Sequence, residues 1–249
     1  MALLKVLLLL LGLGVSVNSG VSRQKRIVGG RNCDDTERVH HVRLESSNGD
    51  VKIHCGGTLI HPQWILTAAH CWKSEPGWVI KATLKVHPRT AGQQQQLIQQ
   101  TPVIYKTFRQ FHDIMLLKLE TPVTDVRLAR LPDCNNRLKV GDTVKLAGEG
   151  ATTTGYKNQL LRNASIPSHL QCLRMKVILS YFTGLYGIVF SAEAPTKFIS
   201  YRDVGGAAMH NGMIYGVITG GAPRYPKTGP VPIMDVCNYL GWIKQTIMK

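Results

Sequence analysis

Three short segments contain side chains that could together carry out acyl transfer. His70 lies between two alanines and a cysteine, Asp113 precedes an apolar run, and residues 202–207 have the sequence Arg-Asp-Val-Gly-Gly-Ala. An imidazole can act as a general base and a carboxylate can orient its ring, provided that a third group supplies the nucleophile. The third segment places Val204 at its centre, and a valine side chain has no group that can attack a carbonyl.

All three segments resemble those of trypsin-like serine proteases. Residues 67–71 resemble the segment of the general-base histidine, residues 113–117 that of the orienting aspartate, and residues 202–207 the Gly-Asp-Ser-Gly-Gly-Pro segment of the nucleophile. Residues 26–30 resemble a zymogen activation junction, and residues 236–247 resemble the C-terminal helix of vertebrate trypsins. The chain order of histidine, aspartate and nucleophile position is that of chymotrypsin-type barrels.

The resemblance implies that His70 is the base, Asp113 its orienter and Val204 the residue in the nucleophile's place. Losing the nucleophile of such a unit costs about a million-fold in turnover. Arg202 stands where the family has a glycine whose backbone N–H is one of two oxyanion donors, and a side chain disfavours conformations that glycine reaches easily. We therefore expect a pseudoenzyme, a secreted non-catalytic homologue that acts by binding as a decoy, a regulator of proteolysis or a cationic effector.

Two alternative functions differ from this one in their chemistry. An active trypsin-like serine endopeptidase would need a relocated nucleophile such as Ser200, and a shift of four residues from Val204 would put that hydroxyl far from His70. A metal-dependent hydrolase is disfavoured because no Cys/His cluster has zinc-ligand spacing. Residues 85–99, where trypsins have their calcium loop, contain no carboxylate. We expect no metal and no cofactor.

The specificity pocket also departs from the family pattern. Counting back from Asp203, the pocket-floor aspartate of trypsins falls at Phe198, and an apolar floor cannot pair with a substrate lysine or arginine. The Ser-Trp-Gly substrate strand of the family corresponds to residues 219–221, which are Thr-Gly-Gly. The predicted pocket residues are therefore Phe198, Thr219 and Gly221.

The N-terminal 20 residues have the features of a secretory signal peptide. Lys5 is their only charge, and residues 6–17 form an apolar run before a small-residue end. Twelve residues are too few for a helix across a membrane core of about 30 Å. The sequence predicts a secreted, extracellular protein with a signal peptide at 1–20, a pro-segment at 21–26 and a protease-like domain at 27–249.

The resemblance implies a zymogen switch at the start of that domain. Residues 23–26 are Arg-Gln-Lys-Arg, a basic run suited to cleavage after Arg26. Cleavage would free the ammonium group of Ile27, which in the family pairs with the aspartate that precedes the nucleophile, here Asp203. Both members of that ion pair are present in the sequence.

Six cysteines in a secreted chain favour disulfides over metal sites, and composition alone allows 15 pairings. The resemblance narrows these to Cys33–Cys172, Cys55–Cys71 and Cys134–Cys237. A single sequon, Asn163-Ala164-Ser165, predicts a glycoprotein with N-glycosylation at Asn163.

Basic residues outnumber acidic ones, 30 to 15, for a formal net charge of +15. Removing residues 1–26 takes away four cations and no acid, which leaves about +11. Residues 143–249 carry eleven cations and four acids. This excess is either a solvated basic surface or an attraction to polyanions such as glycosaminoglycans. We expect proteases, inhibitors or polyanionic surfaces as partners, and no nucleic acid.

Short apolar or alternating runs separated by Gly, Pro and Asn turns predict an all-β domain. Examples are Trp64–Thr67 and residues 114–119. Residues 236, 240, 243 and 247 fall on one face of a C-terminal helix. The resemblance implies two packed six-stranded Greek-key barrels, with the active cleft between them.

Overall fold

Antiparallel β-strands form most of the structure, a computed structural model that describes residues 30–108, 110–150, 165–184, 187–195, 199–220 and 229–249. The strands, numbered in chain order, form two seven-stranded sheets. The N-terminal sheet contains β2 (His41–Ser47), β3 (Lys52–His61), β4 (Trp64–Thr67), β5 (Val79–Leu84), β6 (Gln94–Ile98), β7 (Val103–Lys106) and β8 (Phe111–Lys118).

The C-terminal sheet closes on itself. It contains β1 (Arg31–Asn32), β9 (Thr143–Gly148), β10 (Gln171–Gly184), β11 (Gly187–Glu193), β12 (Ala207–His210), β13 (Met213–Ile218) and β14 (Val231–Asp235). Its order is β1-β10-β11-β14-β13-β12-β9, and β9 also pairs with β10. Six strands, β9 to β14, therefore close into a barrel. The two-residue strand β1 pairs with β10 and is not part of the closed ring.

The N-terminal sheet has the order β6-β5-β2-β3-β4-β8-β7. Its two end strands, β6 and β7, are joined by only the four residues 99–102, so the sheet must curl until its ends approach. Pro102 lies in this link and lacks the N–H that a continuous strand would need. The predicted two-barrel fold is confirmed, and the seventh strand here arises because one barrel strand is interrupted.

The main hydrophobic core joins the two barrels. It contains Ile65 and Leu116 from the N-terminal sheet together with Val217 and Met234 from the C-terminal sheet, all with no exposed surface. A second core fills the C-terminal barrel around Phe190 and the surrounding strands. The cleft residues are therefore held between two packed bodies that share a core.

Strand β8 carries Asp113 and is covered on both faces, since its residues 112–117 are all buried. The ring Nδ1 of His112 lies 2.8 Å from the hydroxyl of Tyr239, which also accepts a hydrogen bond from the N–H of Ile188 at 2.9 Å. These contacts fasten β8 to the C-terminal half of the chain. The strand position of Asp113 is thus fixed from two sides.

The C-terminal helix begins later than the sequence pattern indicates. Residues Val236–Tyr239 form a 3-10 helix, and the α-helix α1 spans Leu240–Ile247. The Asp235 carboxylate caps the 3-10 helix by accepting from the N–H of Cys237 at 3.1 Å. Among the described residues, no helix is long and apolar enough to cross a membrane.

The three disulfides form in the pairs that the resemblance implied: Cys33–Cys172, Cys55–Cys71 and Cys134–Cys237. The first joins β10 to the segment that follows β1, and the second joins β3 to the 3-10 helix Ala69–Cys71. The third ties the C-terminal 3-10 helix to residue 134. Links over 139 and 103 residues restrict the unfolded chain more strongly than the link over 16.

Candidate active site

His70 and Asp113 form a hydrogen-bonded pair at the surface of the cleft. The His70 ring Nδ1 lies 2.7 Å from Oδ2 of Asp113, and the His70 backbone N–H donates to Oδ1 of the same carboxylate at 2.9 Å. Asp113 is buried, whereas the His70 side chain is 49% exposed. The imidazole is therefore oriented by a buried carboxylate while about half of its side chain stays exposed, an arrangement that would suit a general base.

Two local features bring His70 to this position. The 3-10 helix Ala69–Cys71 follows directly after β4, and the Cys55–Cys71 bridge ties it to β3. Strand β4 also pairs with β8, with Thr67 opposite Met115. Asp113 lies two residues before Met115 on β8. The register of β4 and β8 therefore places its carboxylate beside the 3-10 helix that carries His70.

Val204 is 2% exposed and belongs to the core that joins the barrels. Its carbonyl accepts a hydrogen bond from the N–H of Gly56 at 2.7 Å, which joins this loop to β3. The following Gly205 has a φ of +83°. A Cβ there would lie 2.3 Å from the carbonyl oxygen of Gly56, so only glycine fits. The loop is anchored as a nucleophile loop would be, but its central side chain is aliphatic.

Both backbone N–H groups that would serve as oxyanion donors have partners inside the loop. The Arg202 N–H donates to Oγ of Ser200 at 3.3 Å, and the Val204 N–H donates to the carbonyl of Tyr201 at 3.4 Å. These bonds belong to the 3-10 helix Tyr201–Asp203, which Ser200 caps. A donor that points at a protein acceptor is not aimed at a substrate oxyanion.

The side chain of Arg202 lines a small pocket together with His54 and Arg43. Burial lowers the pKa of His54, and the Arg202 charge lowers it further. Arg202 has no positive φ. It therefore adopts the ordinary backbone conformation of a helical turn, in which its N–H faces Ser200.

Asp203 is buried and holds the loop through its carboxylate. Oδ1 accepts from the N–H of Gly150 and Oδ2 from the N–H of Ser200, both at 2.8 Å. Burial raises the pKa of Asp203 to about 6, although these two bonds act in the opposite direction. Within the described part of the chain, no cation lies within 4 Å of this carboxylate. Arg26 and Ile27 lie outside the described residues.

Sequence reasoning missed the ion pairs of Glu149, whose side chain is 7% exposed next to the Asp203 loop. Arg43 binds this carboxylate through two nitrogens at 2.5 and 2.7 Å, and Arg89 binds it at 2.6 Å. Burial raises the pKa of Glu149, but the Arg43 hydrogen bonds and charge outweigh it, so that the pKa lies below its usual value. The sequence feature that could have indicated these ion pairs is a single acid, Glu149, between two glycines in a chain with twice as many basic as acidic residues.

Of the predicted pocket residues, only Thr219 is described. Its N–H and its hydroxyl both donate to the carbonyl of Pro232, at 3.3 and 3.2 Å. Phe198 and Gly221 lie outside the described residues, as does the sequon residue Asn163. The structure therefore leaves the pocket floor as a prediction from the sequence.

Only one described group of three Cys, His, Asp or Glu side chains has metal-binding proximity, namely Cys33, Glu37 and Cys172. Two of its members are joined in a disulfide, so they offer no thiolate to a metal ion.

Two antiparallel barrels with a paired histidine and aspartate between them define a chymotrypsin-type architecture. A model of the family described as trypsin matches residues 27–243. Cationic trypsin-3 of Rattus norvegicus is 30% identical over 98% of this chain and 99% of its own length. Trypsin of Sus scrofa is 32% identical over 89% and 96%, respectively. The chain belongs to the trypsin family.

A solved structure supports the fold independently. Mouse neuropsin, titled a serine protease expressed in the limbic system of mouse brain, matches with a TM-score of 0.67. The match covers 88% of this chain and 99% of neuropsin at 24% identity, and it shows a shared fold.

Proposed function

We propose that this chain is a secreted, non-catalytic member of the trypsin family that acts by binding. The observation that carries the proposal is the loop at residues 200–205, where the nucleophile position is a buried valine and both oxyanion donors are satisfied internally. Loss of the nucleophile and loss of the oxyanion donors are separate defects, since each contributes to catalysis in its own way.

The rival function is an active serine endopeptidase, favoured by the intact geometry of His70 and Asp113. Its best nucleophile would be Ser200. This residue is 5% exposed, and its hydroxyl accepts the Arg202 N–H as a helix cap. The Ser200 hydroxyl is thus buried and engaged in capping the 3-10 helix Tyr201–Asp203, whereas the His70 side chain is 49% exposed and pairs with Asp113. The capping role of Ser200 therefore supports the non-catalytic function.

Secretion and processing are part of the proposal. A signal peptide at 1–20, a pro-segment at 21–26, cleavage after Arg26 and a glycan on Asn163 fit an extracellular protein, and the three disulfides are of the kind that persists in oxidising compartments. The family match also begins at residue 27.

Cleavage after Arg26 would then change the conformation of the loop that contains Asp203, without producing an active enzyme. Asp203 is buried and, among the described residues, has only backbone donors as hydrogen-bond partners. An ammonium group delivered by Ile27 would neutralise a buried charge, which is otherwise costly. We expect this ion pair to order the loop around residues 199–204 into a binding surface for a protease, an inhibitor or a polyanion.

A serine-directed fluorophosphonate probe tests the proposal on protein whose N-terminus has been verified as Ile27. We expect no labelling of the wild type above the level of His70→Ala, and no hydrolysis of Arg, Lys or aromatic peptide esters. Labelling and turnover that disappear in both His70→Ala and Ser200→Ala would establish the rival function. His70→Ala is the matched control because it leaves the loop at 200–205 unchanged.

A further inference from the structure

A cavity of about 800 Å³ lies apart from His70 and the loop at 200–205. Six cationic side chains line it, and only two carboxylates, those of Glu37 and Asp142, do so. The cations come from the segment before β2, the connection between the barrels, and strands β9 and β10: Arg38, Arg127, Arg130, Lys145, Arg174 and Lys176. Its volume lies in the range of small-ligand sites, about 300–1,000 Å³.

The strand register concentrates three of these cations on one face. Arg174 on β10 lies directly opposite Lys145 on β9, and Lys176 follows two residues after Arg174. Side chains at positions i and i+2 of a strand share a face. Like charges directly opposite each other across two strands destabilise a sheet. The arrangement is unfavourable in the free protein, and a bound anion would relieve it.

Neither nearby carboxylate forms a close ion pair with these cations, although the charge of Glu37 acts on Arg38 at longer range. Glu37 accepts from Arg31 at 2.7 Å and from the N–H of Asp34 at 3.1 Å, so its carboxylate is already paired with a cation that does not line the cavity. Asp142 accepts from the N–H of Lys139 at 2.8 Å. In the part of the chain that the structure describes, none of the six cations lies within 4 Å of a carboxylate oxygen.

His40 supplies a second and independent observation. His40 is 8% exposed and lines the cavity. Neither of its ring nitrogens has a hydrogen-bond partner among the described residues. Burial, reinforced by the Arg38 charge, lowers the pKa of His40 to about 3. The ring is therefore neutral and offers one N–H donor. A buried polar group without a partner is costly, and because both ring nitrogens are enclosed, a small rotation of the ring toward the cavity would give it a ligand oxygen as its partner.

Arg38 is held at the same place in an uncommon conformation. It is 5% exposed, has a φ of +60°, and donates from Nη2 to the carbonyl of Lys145 at 2.9 Å. A guanidinium presents five donors, and this bond uses one of them. Its burial lowers the pKa to about 10, which still leaves it charged at neutral pH.

We propose that this cavity, lined by the six cations and His40, binds the sulfate groups of a sulfated polysaccharide. Arg38 and His40 form its buried end, and Arg127, Arg130, Arg174 and Lys176 form its exposed rim. A polysaccharide fits better than a nucleic acid because the described lining contains no Phe, Tyr or Trp on which bases could stack. The site goes beyond the proposed function and stands whether or not the cleft hydrolyses peptides.

The test compares two charge-matched variants in binding to a heparin oligosaccharide at 0.1 M salt. Arg174→Gln/Lys176→Gln removes two rim cations, whereas Lys244→Gln/Lys249→Gln removes two exposed cations at the C-terminus. Arg174 and Lys176 are exposed, so solvent screening weakens their charge-assisted contacts, and the loss of both together should weaken binding at least about tenfold. The control should bind within about threefold of the wild type. Equal weakening in both variants would show diffuse charge and overturn the site.

Two further measurements distinguish the ligand source. Addition of the oligosaccharide to the wild type should shift the ring resonances of His40, an outcome that does not depend on any variant folding. Tighter binding of single-stranded DNA of matched charge, or saturation by inorganic sulfate or phosphate alone with no gain from the sugar chain, would overturn the polysaccharide assignment. An unchanged His40 resonance at saturating oligosaccharide would overturn the cavity as the site.

Discussion

Substituting Val204 with serine should restore almost no activity. The new hydroxyl would stand in the nucleophile's place beside an intact pair of His70 and Asp113. Both oxyanion donors would still be engaged, by Ser200 Oγ and by the Tyr201 carbonyl. Loss of one such donor costs about 10²–10³ in kcat. If the two losses multiply, Val204→Ser should reach at most about 10⁻⁴ of the rate of an active trypsin.

The rate of phosphonylation by a small fluorophosphonate is the appropriate assay. Such a probe needs the nucleophile, the base and the oxyanion donors but makes little use of the specificity pocket, so the altered pocket residues do not confuse the result. Adding Arg202→Gly to Val204→Ser should raise the rate about 10–100-fold, because glycine lets the peptide turn its N–H away from Ser200. Adding His70→Ala to either variant should abolish its phosphonylation.

Recovery by Val204→Ser alone to within about 100-fold of an active trypsin, sensitive to His70→Ala, would refute the reasoning. It would mean that the donors are free in solution and that valine is the only defect. Since Val204 is buried, thermal unfolding must show that the variant is folded, with an expected loss of about 1–3 kcal/mol.

Three stability predictions follow from the buried groups around this loop. Glu149→Gln should lower the free energy of unfolding by about 3–5 kcal/mol in urea titrations, because it leaves Arg43 and Arg89 without their shared carboxylate. Since the folded pKa of Glu149 is lowered, its contribution should be present above its ordinary pKa and lost as pH falls through the folded value; equal losses in Glu149→Gln at pH 7 and pH 3 would contradict this. For Asp203 the sign is opposite: with a folded pKa of about 6, uncleaved protein should lose about 2–3 kcal/mol as pH rises from 4 to 7, and Asp203→Asn should not show this loss. A pH-independent difference between wild type and Asp203→Asn would mean that this carboxylate is ionised throughout. Replacing Cys55 and Cys71 together by serine should cost about 3 kcal/mol and lower the midpoint of thermal unfolding, and an unchanged midpoint would show that this bridge adds no stability.

The sequence alone determined the elements that depend on residue type. The valine at position 204, the segments of His70 and Asp113 and the identities of the six cysteines are properties of the chain itself. Resemblance to trypsins then supplied the two-barrel fold and the disulfide pairs, because both follow from a shared order of segments. The start of α1 at Leu240 was not determined by the sequence, since helix periodicity does not distinguish a 3-10 first turn from an α-helical one.

The tertiary structure decided the features that depend on direction and on distant proximity. Sequence reasoning identified Arg202 as a defect through its side chain, whereas the structure shows that its backbone N–H turns toward Ser200. Neither that direction nor the ion pair of Glu149 with Arg43, 106 residues away, is written in any local pattern. The same holds for the cationic cavity, which brings residues 38–40 next to strands β9 and β10. The sequence sets which residue type stands at each position, but the directions of hydrogen bonds and the long-range contacts exist only after the barrels have closed and packed.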